Sequence, residues 1–246
     1  MGSYKDWFSY SSEFNDVGYL QTIAGIIIDY YEALGCRFDH RRHSFIVSHS
    51  GHPTFYPSDG RIELSANRCS YWCKVIYQVS HELTHLFMHA NNPDGSKEAC
   101  WFEEIVCEAA SLFFLTYFYD HWHTPFHPVK RLSSENYGYK SAVAEYVNDE
   151  LADYVSDSNS VVHSLSDFSE YRELSYHDSH ATSERSVHAH EVLRLYRTLT
   201  PRGLASLVRY RDYVRPGTVL LDGARYLADH NNESVRTMLS FIAKIK

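Results

Sequence analysis

What the 246-residue chain has little of narrows it first. It carries five cysteines, an odd number, and no CxxC pair occurs among Cys36, Cys69, Cys73, Cys100 and Cys107. A disulfide framework is a poor fit to that pattern, and small buried thiols in a reducing compartment are a better one. No run of 18 apolar residues exists, so no membrane span is expected. The first residues lack a basic patch followed by an apolar stretch, so no secretory signal is expected and the chain reads as cytoplasmic. Lys and Arg (23) are outnumbered by Asp and Glu (31), which gives a formal net charge of -8, and basic residues form only short pairs. A nucleic-acid duplex therefore finds no cationic face. There is no glycine-rich phosphate loop, no GxSxG elbow and no internal repeat.

What is present describes a globular chain with a sizeable core: 44% hydrophobic residues, 22% charged, 20 Tyr and 13 Phe. Leu20, Ile23, Ala24, Ile27, Tyr30, Tyr31 and Leu34 recur at helical spacing and stop at Gly35, which predicts an amphipathic helix closed by a C-terminal glycine. Between about 37 and 66 the pattern shortens. Phe45–Val47 and Arg61–Leu64 read as strands punctuated by Gly51, Pro53, Pro57 and the Ser58-Asp59-Gly60 turn, a sheet of two to four strands. Helices are expected from there on, over 71–90, 98–119, 139–155, 184–199, 204–213, 220–230 and 234–245. A Ser/His/Asp-rich loop is expected over 156–183. The predicted class is α+β, with a mixed N-terminal lobe over 1–95 and a mainly helical lobe over 96–246.

One segment carries chemistry. His81-Glu82-Leu83-Thr84-His85 is an HExxH motif. Histidines at i and i+4 stand one turn apart on one face, so two ring nitrogens can meet at one Zn²⁺. The Glu between them is placed to take a proton from the attacking water and pass it to a leaving group. At about 100° per residue, Val75, Ile76, Val79, Leu83, Leu86 and Phe87 share one arc, and His81, Glu82 and His85 the opposite one. An apolar back and a His/Glu front suit the wall of a cleft. The 16 histidines of the chain make metal chemistry worth testing. A catalytic zinc keeps one position open, whereas a structural one takes a fourth protein donor, usually with Cys in the set.

The third donor is sought on the next helix. Residues 101–114 are apolar nearly all round, with Glu104, Glu108 and Ser111 on one narrow polar strip. Carboxylates in such a helix need a counter-charge or strong hydrogen bonds. Glu103 points away from that strip and reads as a solvated charge.

Eighteen residues separate His85 from Glu104, and HExxH-x18-E resembles the gluzincin metallopeptidases, the group that holds thermolysin-like enzymes and many aminopeptidases. Trp101-Phe102-Glu103-Glu104 is similar to the aromatic approach to the ligand Glu in aminopeptidase-type members, although Ile105 stands where many of them have glycine. The resemblance covers roughly residues 72–112. It implies a zincin-like fold with the cleft between the lobes, and one zinc held by His81, His85 and Glu104. It implies Glu82 as general base, and Glu108, four places after the ligand Glu, as the carboxylate that orients the first His. It also implies a peptide or protein substrate paired along a strand edge before the motif helix, for which Arg61–Ala66 is placed. An oxyanion-stabilising His or Tyr is expected from the C-terminal lobe, with His163, His177, His180, His188, His190, Tyr137, Tyr139 and Tyr176 as candidates. The competing expectations are a zincin-like binding or regulatory domain, and a metal-dependent hydrolase of a non-peptide amide.

Overall fold

The computed structural model describes residues 8–14, 17–38, 42–49, 51–65, 72–91, 100–121, 138–160, 185–213 and 221–243. Among these the chain is mixed α+β and mostly helical, with eight α-helices and one four-stranded sheet. The strands are β1 (Phe8–Tyr10), β2 (His43–Val47), β3 (Thr54–Tyr56) and β4 (Arg61–Leu64). The helices are α1 (Val17–Ala33), α2 (Trp72–Asn91), α3 (Cys100–Asp120), α4 (Gly138–Ser160), α5 (Arg185–Thr198), α6 (Pro201–Leu207), α7 (Gly223–Asp229) and α8 (Glu233–Ala243). A 3-10 turn, Tyr210–Tyr213, follows α6. No helix among the described residues is long and apolar enough to cross a membrane.

Local chemistry sets the boundaries. The stop at Gly35 forms as expected: Gly35 adopts φ 75°, its N–H donates to Glu32 O at 2.8 Å, and the Cys36 N–H donates to Tyr31 O at 3.0 Å. This paired closure satisfies carbonyls that the end of α1 leaves open. In the sheet, β1, β2 and β4 run parallel and β3 pairs antiparallel with β4, in the order β1-β2-β4-β3. Ser58-Asp59-Gly60 makes the β3–β4 turn, where Gly60 N donates to Tyr56 O at 2.9 Å and Arg61 N donates to Asp59 Oδ1 at 3.0 Å. The strand Arg61–Leu64, expected to offer a free edge, is instead central, hydrogen-bonded to β2 on one side and β3 on the other. Among the described residues, the edge strand on the α2 side is β3, paired antiparallel with β4.

Two further boundaries differ from the sequence reading. The helix expected over 204–213 starts earlier and breaks in two, because Thr200 accepts from Gly203 N at 3.0 Å and Pro201 opens the first turn. The loop expected from 156 begins later, since α4 runs to Ser160. The rest of that loop lies outside the described residues.

Helix α3 is the central post. Ile105, Val106, Ala109, Ala110, Leu112, Phe114, Leu115 and Phe118 are all fully buried, and α3 packs on α2, α4 and α5. One apolar cluster extends from Phe8 in β1 to Phe241 in α8 and includes residues on both sides of position 95. Cys36, Cys73 and Cys107 are free and buried, as the odd cysteine count suggested.

Gly60 tests the sheet. It sits at φ 69°, and a Cβ there would lie 2.3 Å from Nδ1 of the buried His43 ring. Left-handed backbone strain and overpacking together put Gly60→Ala at roughly 2–4 kcal/mol of lost stability. Urea denaturation measures it, and a loss below 1 kcal/mol, taken as a rough floor, would contradict the packing described.

Candidate metal centre

Helix α2 is held in rotation from its apolar side. Val75, Ile76, Val79, Leu83, Leu86 and Phe87 are buried, matching the arc read from sequence. The Thr84 and Tyr31 hydroxyls hydrogen-bond at 2.6 Å, fixing α2 against α1. Gln78 accepts from Ser65 N at 3.1 Å and donates to Ser65 Oγ, tying α2 to the end of β4. The opposite face then turns toward α3.

On that face the donors converge. His81 Nε2 lies 3.3 Å from His85 Nε2, and the two Glu104 oxygens lie 3.1 Å from His81 Nε2 and 3.3 Å from His85 Nε2. Tetrahedral ligands at zinc–nitrogen and zinc–oxygen lengths are separated from one another by about 3.3 Å. The three side chains therefore already stand near the edges of one coordination polyhedron, and two imidazoles with a carboxylate are borderline-soft donors that suit Zn²⁺. The His side chains are 11% and 12% exposed but Glu104 is 36% exposed, so solvent reaches the group from the Glu104 side.

Protons and charges within the group compensate one another. Burial opposes charge on His85, but Cys107, Glu104 and Glu103 outweigh it and hold the imidazole well above its ordinary value. Burial likewise opposes charge on Glu104, and His85 and His81 outweigh it, so its carboxyl falls well below the usual range. Glu82 behaves differently. It is 2% exposed, and burial pushes its carboxyl up to about 7 despite the two neighbouring histidines.

Glu103 corrects the sequence reading. Expected to be solvated, its side chain is 3% exposed and forms a buried ion pair with Arg211 Nε. The same carboxylate accepts from Tyr210 Oη at 2.8 Å and lies 3.7 Å from both His85 Nδ1 and His89 Nε2. Arg211 also donates to His89 Nε2 at 3.0 Å. The 3-10 turn, α3 and the last turn of α2 thus share one charged cluster behind His85, a position from which a ligand ring is oriented. Glu108, expected to orient His81, instead accepts hydrogen bonds from Tyr77 and Tyr154 on one oxygen, the latter at 2.5 Å. It has no hydrogen bond to either imidazole and acts on His81 only through its charge.

A side chain passed over in the sequence completes the group. Cys107 is fully buried, one turn after Glu104, and its sulfur lies within 4.8 Å of donor nitrogens of His81 and His85. It hydrogen-bonds His85, and burial pushes its thiol up to about 12. Helical spacing places 103 and 107 on one strip of α3, as it places 81, 85 and 89 on one strip of α2. Extending each strip by a turn would have found Cys107 and His89. Nothing local points to Tyr210 or Arg211. Of the oxyanion candidates, Tyr137 and residues 161–184 lie outside the described residues, as do the side chains of Tyr139 and His188. His190 is exposed on α5.

The Glu103–Arg211 pair makes a stability prediction. Glu103→Gln leaves a buried guanidinium without its counter-charge and is expected to cost about 3–5 kcal/mol in guanidinium denaturation. Glu103→Leu combined with Arg211→Met should cost less than either single change, because neither charge is then stranded. Burial raises the Glu103 carboxyl, but His85, His89 and Arg211 more than reverse this and hold it well below its ordinary value. Its contribution is therefore present above the unfolded value of about 4.3 and lost as the pH falls through the folded one.

No family model, curated protein or solved structure matches this chain.

Proposed function

We propose that this protein is a zinc-dependent metallohydrolase acting on peptide bonds, built as a zincin-like unit whose substrate cleft lies over α2. One observation carries the reading: the donor atoms of His81, His85 and Glu104 converge at 3.1–3.3 Å beside a buried carboxylate, Glu82. Burying a carboxylate costs stability, and such groups gather where chemistry needs them.

When bound, a zinc ion would supply Lewis-acid polarisation of the scissile carbonyl and of water. His81 and His85 hold it from α2 and Glu104 from α3. Glu82 takes the proton of the attacking water and returns it to the amine leaving group, with a carboxyl held near neutrality by burial. Glu103, fixed by Arg211 and Tyr210, keeps the His85 ring from turning. The edge of β3 is the site for an extended peptide. Phe55 on β3 packs edge-on to His89 with ring centroids 5.6 Å apart, which brings that edge to the last turn of α2.

A second reading, a zincin-like binding or regulatory domain, draws on Cys107. A thiol grouped with two imidazoles is the donor chemistry of structural zinc sites. Intact Glu82 favours the catalytic reading, since a structural site has no use for a base.

Metal analysis and a peptide-library digest separate the two. The expected outcome is one zinc per chain and cleavage that falls at least about 10²-fold in Glu82→Gln while zinc stays bound. His85→Ala should lose both zinc and cleavage. Zinc retained with no cleavage of any peptide supports the binding reading, and full activity in Glu82→Gln removes the base from Glu82.

A further inference from the structure

Helix α3 presents two donors to the histidine pair of α2. His81 and His85 stand at i and i+4 on α2, and Glu104 and Cys107 stand at i and i+3 on α3. We propose that Cys107 is a fourth donor to the metal held by His81, His85 and Glu104, so that the resting site is closed by a thiolate. This inference rests on the metal site of the preceding reading and adds to it the state in which that site is kept.

Geometry carries it. The Cys107 sulfur lies within 4.8 Å of donor nitrogens on both His81 and His85. Nitrogen and sulfur donors on a tetrahedral zinc are about 3.6 Å apart, so a movement of roughly 1 Å brings the sulfur to ligand spacing from both histidine nitrogens. That lies within the reach of small adjustments of one cysteine and one ion. The cysteine is also in a distinctive setting. Cys36 donates weakly to Ala205 O at 3.9 Å, and of Cys36, Cys73 and Cys107 only Cys107 belongs to a group able to hold a metal ion. Glu82, nearly fully buried, borders the same group.

The chemistry is a ligand exchange. The S–H bond of Cys107 is replaced by a sulfur–metal bond, the proton leaves to solvent, and no oxidant or reductant takes part. A sphere of two nitrogens, one oxygen and one sulfur favours Zn²⁺, Co²⁺ and Cd²⁺ over Mg²⁺, Ca²⁺ and Mn²⁺, which prefer oxygen donors. Hydrolysis then requires the thiolate to leave and free a position for water, so Cys107 sets the share of molecules in an open state.

Cobalt reports the sphere directly. The full chain is loaded with one equivalent of Co²⁺, and absorption is read for a near-ultraviolet sulfur-to-cobalt charge-transfer band. The band is expected in the wild type and in Cys73→Ala. In Cys107→Ala it is expected to disappear, while one Co²⁺ remains bound, circular dichroism is unchanged and Zn²⁺ affinity drops at least tenfold. A wild-type chain that binds one Co²⁺ without the band overturns the thiolate ligand and leaves the three-donor site standing. A band that persists in Cys107→Ala assigns the sulfur elsewhere and overturns it as well. A chain that binds no Co²⁺ overturns both this inference and the metallohydrolase reading. Should Cys107→Ala fail to fold, Cys107→Ser supplies the same comparison, with loss of the band expected and a persisting band overturning the assignment.

Discussion

The Glu103–Arg211 ion pair is the contact on which the arrangement around α2 depends. Two opposite charges, both almost fully excluded from water, are tolerated only with each other and with Tyr210, His85 and His89 around them. The pair fixes where the 3-10 turn meets α3 and which face α3 shows to α2. It also sets the environment of His85, whose other nitrogen faces His81 and Glu104. A hydrophobic replacement of equal volume could fill the same space, but it would not hold an imidazole in one orientation. The cluster is better understood as alignment than as net stabilisation.

Much of the fold was legible where periodicity runs for several turns. Helices α1, α2 and α3 announce themselves by long apolar stripes, and Gly35 announces a stop because its positive φ is what a paired closure needs. Strands β1 and β3 did not. Each has three residues, and a strand that short is defined by its partners more than by its own pattern. The edge role expected of Arg61–Leu64 failed for the same reason, since strand order is a property of the assembled sheet.

The site divides along the same line. Positions 81, 82 and 85 are related by helix geometry, and Glu104 was named by resemblance; the fold brings its carboxylate to both imidazoles. Glu103 was assigned to solvent because helix periodicity says where a side chain points and not what waits there. Its partner Arg211 comes from 108 positions along the chain. Glu108 was placed beside His81 by resemblance, yet Tyr77 and Tyr154 take its oxygen, and Tyr154 arrives on α4, an element no local pattern links to α2.

Residues 209–211 reach three different helices in succession. Arg209 donates to the Leu34 and Gly35 carbonyls at the end of α1, Tyr210 meets α3, and Arg211 spans α3 and α2. A ribosome makes these residues more than a hundred positions after Glu104. A nascent chain therefore displays every donor of the centre long before the clasp that aligns them exists. If the proposed zinc is taken up, productive loading is then a late event in the life of each molecule, and an ion captured early would be held by side chains whose orientations are still free.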